Sequence, residues 1–161
     1  MKAESDGPRC GLVTLASAWP GILPSVNDGS DLDALLRSLS PRLAEGEFVF
    51  VDAPGNEIPA EALAMVREPE GVSLVITKEV AVERGLHYDY VAAWITLQVP
   101  SDLAAVGLTS AVSAALARRG ISCNVIAGRR HDHLLVNFDR RHEAIEALEG
   151  LSRDQPPRND H

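Results

Sequence analysis

Aromatic residues are scarce in this chain: two Trp, two Tyr and three Phe make up 4% of its 161 residues. A surface that stacks nucleobases needs more of them, and it needs positive charge. Here 15 Lys and Arg stand against 23 Asp and Glu, for a net charge of -8. Both counts argue against a nucleic-acid partner. Cysteine is rare as well. Cys10 and Cys123 are too few and too far apart for a disulfide framework or a zinc knuckle, so a reducing, cytoplasmic setting fits. Cys123, in an apolar run, reads as a small buried hydrophobe. No uninterrupted apolar run suits a membrane helix. The stretch Gly11–Pro24 is broken by Pro20, Gly21 and Pro24, and Glu4 and Asp6 spoil the positive start of a leader.

Catalytic signatures are missing too. There is no nucleophile elbow and no phosphate loop. Ser110 or Ser113 with His131 and Asp132 offers the residue types of a hydrolase, but serines are abundant enough to make that coincidence cheap. Glu45 and Glu47 have no paired partner in sight for acid–base work. The expectation is a protein that is not an enzyme and holds no cofactor. What remains is 45% apolar and 24% charged, ordinary for a soluble globular chain of one domain or two small ones.

Periodicity then places the elements. Ser30 or Asp31 caps a helix through Leu32, Leu35, Leu36 and Leu39, which Ser40-Pro41 ends. Phe48–Val51 reads as a strand before the turn Pro54-Gly55-Asn56. Ala62–Val66 and Val72–Thr77 read as a hairpin, and Glu79–Arg84 as a short helix closed by Gly85. From Val91 to Val99 every odd position is apolar, the mark of a half-buried strand. Leu108, Val112, Ala115 and Leu116 form a helical stripe that Gly120 terminates. Strands Ser122–Ala127 and His133–Phe138 flank Gly128–Asp132, and a last helix from about Asp139 turns Ile145, Leu148 and Leu151 inward. Residues 1–27 read as an N-terminal extension with one strand at Leu12–Ala16, and 152–161 as a disordered tail. The second half thus runs βαββα and stops. A four-stranded sheet needs one more strand to cover its edge, so the first half or a second subunit must supply it.

Two places carry binding chemistry. The turn Gly107-Leu108-Thr109-Ser110 presents free N–H groups at a helix start, where a carboxylate is welcome. The same pattern also fits Thr109 or Ser110 acting as a plain helix cap. His131-Asp132-His133 puts two imidazoles on one side of an extended segment. It reads as a ligand rim, a pH-sensitive corner or a turn stabiliser. Without a well-placed third ligand it is not assigned a metal.

The chain resembles the tandem ACT-domain proteins, small stand-alone bacterial proteins with two ACT modules. The resemblance rests on E-G-E-F-V-F at Glu45–Phe50, W-I-T-L at Trp94–Leu97 and A-V-G-L-T-S-A-V-S-A-A-L-A at Ala105–Ala117. It continues through G-I-S-C-N-V-I-A-G at Gly120–Gly128 and H-D-H-L-L-V at His131–Val136. It implies an α+β fold of two ferredoxin-like βαββαβ modules, 28–86 and 87–151, with antiparallel sheets, helices on one face and a strand exchanged between halves. It also implies a regulatory protein, a homodimer, that binds an amino acid or a similar small polar metabolite between modules. The implied ligand residues are Val106, Gly107, Leu108 and Thr109, with Ser122, Cys123 and Asn124 facing the same pocket and Arg129, Arg130, His131, Asp132 and His133 at its rim. Arg129-Arg130 stands where relatives carry an aromatic pair, which favours an acidic ligand. The alternative reading is an assembly module that has lost its ligand, and behind it stands a metal-assisted enzyme.

Overall fold

The computed structural model describes residues 30–99 and 106–153. The extension at 1–27, with its expected strand, and the tail from 154 onward lie outside the described residues. The elements are α1 (Ser30–Arg37), β1 (Ser40–Leu43), β2 (Phe48–Asp52), β3 (Ala64–Glu68), β4 (Gly71–Thr77), α2 (Lys78–Glu83), β5 (Val91–Gln98), α3 (Leu108–Arg118), β6 (Cys123–Ala127), β7 (Asp132–Asn137) and α4 (Arg141–Arg153).

All seven strands share one antiparallel sheet in the order β3-β4-β2-β5-β7-β6, with β1 also paired to β5. This order resolves into two ferredoxin-like sheets that overlap. In the first, β2, β3, β4 and β5 take the four strand positions of a βαββαβ unit. In the second those positions fall to β5, β6, β7 and β1. Strand β5 therefore closes one module and opens the other. Its edge toward the first half is divided: Val91 and Ala92 pair with Val49 and Phe48, while Ile95–Gln98 pair with Leu43–Ser40. The strand missing after α4 is thus β1, donated by the first half.

Two expectations are corrected here. Ser40-Pro41 does not merely stop a helix but begins β1. Proline has no N–H to give a ladder and is tolerated where a strand lies at an edge, and among the described residues β1 pairs with β5 alone. The first module also lacks the helix expected between its first two strands; a 3-10 turn at Pro54–Asn56 stands there instead. Smaller shifts occur at the β3–β4 hairpin, whose register from Ala64↔Val75 to Glu68↔Gly71 leaves only Pro69-Glu70 at the turn.

Burial follows from alternation along the strands. Ala93, Ile95 and Leu97 of β5 face α1, α3 and α4, in a core with Leu36, Leu39, Val112, Leu116, Leu134 and Leu148. On the same face of the first half, Val49, Val51, Leu74 and Ile76 pack with Ala81 of α2. The opposite face has no helix among the described residues. It still buries Phe48, Val75, Ala92 and Leu135, with Trp94, Phe50, Tyr90 and Ile126 around them, because the sheet curls over that side. The Phe48 and Trp94 rings meet there at 5.8 Å.

Candidate functional site

The Gly107 turn stands at the end of the molecule where β5 finishes. Gly107 is the N-cap of α3 with φ +98°, and no side chain caps the helix. Val106 beside it is 76% exposed, and Thr109 and Ser110 point to solvent while Leu108 is buried. An uncapped start of an 11-residue helix leaves N–H groups for an incoming anion. Gly107 also has a packing reason to lack a side chain: a Cβ there would lie 2.9 Å from Leu32 Cδ2 on α1.

The β6–β7 hairpin lies at the same end, since His133 pairs with Thr96 near the finish of β5. Arg129 and Arg130 are exposed at its tip, and His131, Asp132 and His133 are half-buried. His133 belongs to a small polar cluster on the helix-free face. Trp94 Nε1–H donates to His133 Nδ1 at 3.1 Å, and Thr96 Oγ1 lies 3.0 Å from the same nitrogen. Because indole only donates, Nδ1 is the acceptor and the neutral ring carries its proton on Nε2. Burial, followed by the neighbouring His131, holds the His133 pKa below its ordinary value, against an opposing pull from Asp132. His131 Nδ1 is buried with no hydrogen-bond partner among the described residues.

Ser122, Cys123 and Asn124 lie elsewhere. They follow Gly120 at the far end of α3, about 16 Å along an 11-residue helix at 1.5 Å per residue. Cys123 pairs with Val136 and Asn124 with Leu135, toward the start of β5. Within one chain, then, the two halves of the expected pocket are not adjacent. Ser122 and Asn124 are exposed, and β6 is an outer strand with Val125 38% exposed. Burial pushes the Cys123 thiol up to about 11, which leaves it protonated and unsuited to nucleophilic work.

At this second end the surface opens into a cleft of about 440 Å³ lined by Tyr90, Gly120, Ile121, Ser122, Asn137, Asp139 and Arg140. Only Ser122 of these was legible as a site residue. The others come from three separate segments that no single motif joins, although Tyr90, a rare aromatic just before a strand, was a faint signal. Among the described residues no three His, Cys, Asp or Glu side chains group as metal ligands, and no helix is long and apolar enough to cross a membrane. Glu47 is occupied by Lys78 at 2.9 Å.

Two overlapping ferredoxin-like sheets, an uncapped glycine turn and an open outer strand define a tandem-module α+β protein. Family models for the ACT domain match residues 29–93 and 90–150, and the chain belongs to the ACT-domain family. Among solved structures it is similar to VC0802 from Vibrio cholerae, described as a protein of unknown function and possible transport protein. Identity there is 41%, over 76% of this chain and 97% of that one, with a TM-score of 0.69. Atu0741 from Agrobacterium tumefaciens is 19% identical over 71% and 89%, with a TM-score of 0.56. The regulatory subunit of aspartate kinase from Thermus thermophilus shares the fold at 8% identity, over 71% and 97%, with a TM-score of 0.53. No match is found among curated proteins.

Proposed function

We propose that this chain is a cytoplasmic, non-enzymatic regulatory protein that binds an amino acid or similar small polar metabolite between two copies of itself. The observation that carries this reading is the placement of the expected ligand residues at opposite ends of α3. A second copy pairing antiparallel through β6 would run in reverse, which sets the Gly107 turn of one copy beside Ser122–Asn124 of the other. Such a two-fold contact is self-complementary. The free N–H groups at the start of α3 would take the ligand carboxylate, and Asn124 can both donate and accept. Arg129 and Arg130 at the hairpin tip favour an acidic ligand. Regulation follows if the ligand binds one arrangement of the copies better than another.

One observation favours the alternative of a ligand-free assembly module: the φ of +98° at Gly107 already calls for glycine without any ligand. A thermal-shift screen of the twenty amino acids, paired with light scattering after size exclusion, separates the two. The regulatory reading expects a dimer and a raised melting temperature for at least one amino acid; a ligand at a hundred times its Kd stabilises the native state by about 2.7 kcal/mol. Val125→Lys should give a monomer that no longer responds. A dimer indifferent to every amino acid supports the assembly reading, and a monomeric wild type removes both.

A further inference from the structure

We infer that β3, the outer strand at the opposite side of the sheet from β6, is a docking edge for an extended segment of a partner protein that alternates apolar and basic side chains. The order β3-β4-β2-β5-β7-β6 leaves β3 paired with β4 alone. One side of its backbone therefore carries N–H and C=O groups that no other strand answers among the described residues. An extended peptide satisfies such groups by adding a strand. This edge stays open whether or not β6 joins two copies, so the inference does not rest on the function proposed above.

What the edge presents is apolar. Seven large hydrophobic side chains are exposed among the described residues, and four of them (Ile58, Leu63, Met65 and Val66, at 45–55%) lie in β3 or just before it. Edge strands are ordinarily guarded against pairing by a charge, a proline or a bulge, and Ala64–Val66 carries neither charge nor proline. The exposure follows from the missing helix. In the second module α3 precedes β6 and packs against it, whereas in the first the 3-10 turn at Pro54–Asn56 stands in that place. Met65 pairs with Leu74, which packs with Ala81 of α2, so Met65 lies on the helix side of the sheet. Ala64 pairs with Val75 on the opposite face, and Val66 and Glu68 share that face by alternation.

Charge decides the kind of partner. Glu57, Glu61, Glu68 and Glu70 belong to this edge and its flanks, against a single base, Arg67. Arg84 neutralises Glu61 at 3.0 Å, and Glu68 accepts from the Ser73 hydroxyl without losing its charge. Glu57 and Glu70 are exposed and have no ion pair among the described residues. The surplus is negative, and its complement is a segment bearing Lys or Arg. A second copy pairing through β3 would set the same surplus against itself. The β6 edge has the opposite character, with Arg129 and Arg130 exposed at its end, so a basic segment is directed to β3. An added strand with apolar side chains on its helix side extends the row of Met65, and bases on its other face meet Glu68.

The test uses the full chain and two capped peptides that differ only in charge, acetyl-VKVKVKVK-amide and acetyl-VEVEVEVE-amide. The lysine peptide should shift the amide resonances of Met65, Val66 and Arg67 and leave those of Cys123–Ala127 in place. The glutamate peptide should bind about tenfold more weakly, or worse. Raising the salt from about 0.1 M to about 1 M, which shortens the Debye length from about 10 Å to about 3 Å, should weaken the lysine peptide. Met65→Lys and Val66→Lys each put a cation on the edge and should cost about tenfold in affinity for it. Both variants should melt within about 2 °C of wild type, since each replaces an exposed side chain. The comparison of the two peptides on the wild type stands even if a variant unfolds. No shift in β3, equal affinity for both peptides, or shifts in β6 instead would each overturn the inference. So would a wild-type dimer that Met65→Lys turns into a monomer, because β3 would then belong to a second copy.

Discussion

At single positions the chain shows two kinds of glycine that look alike in sequence. Gly107 and Gly120 both adopt positive φ, at +98° and +65°, on either side of α3. A Cβ at Gly120 would meet open space, whereas one at Gly107 would press on Leu32. Gly120→Ala should therefore cost about 1 kcal/mol of left-handed strain, and Gly107→Ala about 1–2 kcal/mol, since its φ of +98° is less favourable and the terminal methyl of Leu32 must also give way, as read by urea denaturation. His133 supplies a second prediction. Its folded pKa lies below its unfolded value, so the unfolded chain binds the extra proton first and stability rises with pH through that range. Wild type should lose stability as pH falls below about 6.5, while His133→Gln should show a flatter profile between pH 5 and 7. Protonation at Nδ1 would set two donors, Trp94 and His133, against each other. The sequence displayed the His-Asp-His corner plainly. It did not show that Trp94 and Thr96, nearly forty residues away in the chain, hold one of those rings.

Among the elements, regular amphipathic patterns translated most faithfully. The α3 stripe of Leu108, Val112, Ala115 and Leu116 is buried in full, and the alternation of β5 places Ala93, Ile95 and Leu97 under the helices. Such patterns work because one element's period settles which side chains leave water. β1 escaped for the opposite reason. Four residues with a proline carry no period, and their strand character comes from β5 alone. The Tyr90 cleft escaped because its walls are assembled from three distant segments. The assignment of α1 and β1 to the second module's core makes a direct prediction. Leu39→Ala, a buried change just before β1, should cost about 2–5 kcal/mol. Hydrogen exchange should then rise in β5 and α4, far along the chain, more than in the nearer β3–β4 hairpin.

For the whole molecule the decisive feature is that β5 serves both sheets. Neither module can open its edge on β5 without exposing the other. Calorimetry should accordingly record one unfolding transition, with calorimetric and van't Hoff enthalpies equal, rather than two. Two peaks would show that the halves melt apart. The same feature sets what may be exchanged between relatives of this fold. A chimaera cut in the loop at Gly85–Asp89 would separate β2 from the strand it pairs with and would strand β1 in the wrong parent. A transplantable unit would have to carry α1, β1 and everything from β5 to α4 together, with the β2–α2 segment as an insert. The two modules are thus a host and its guest, inherited as one piece.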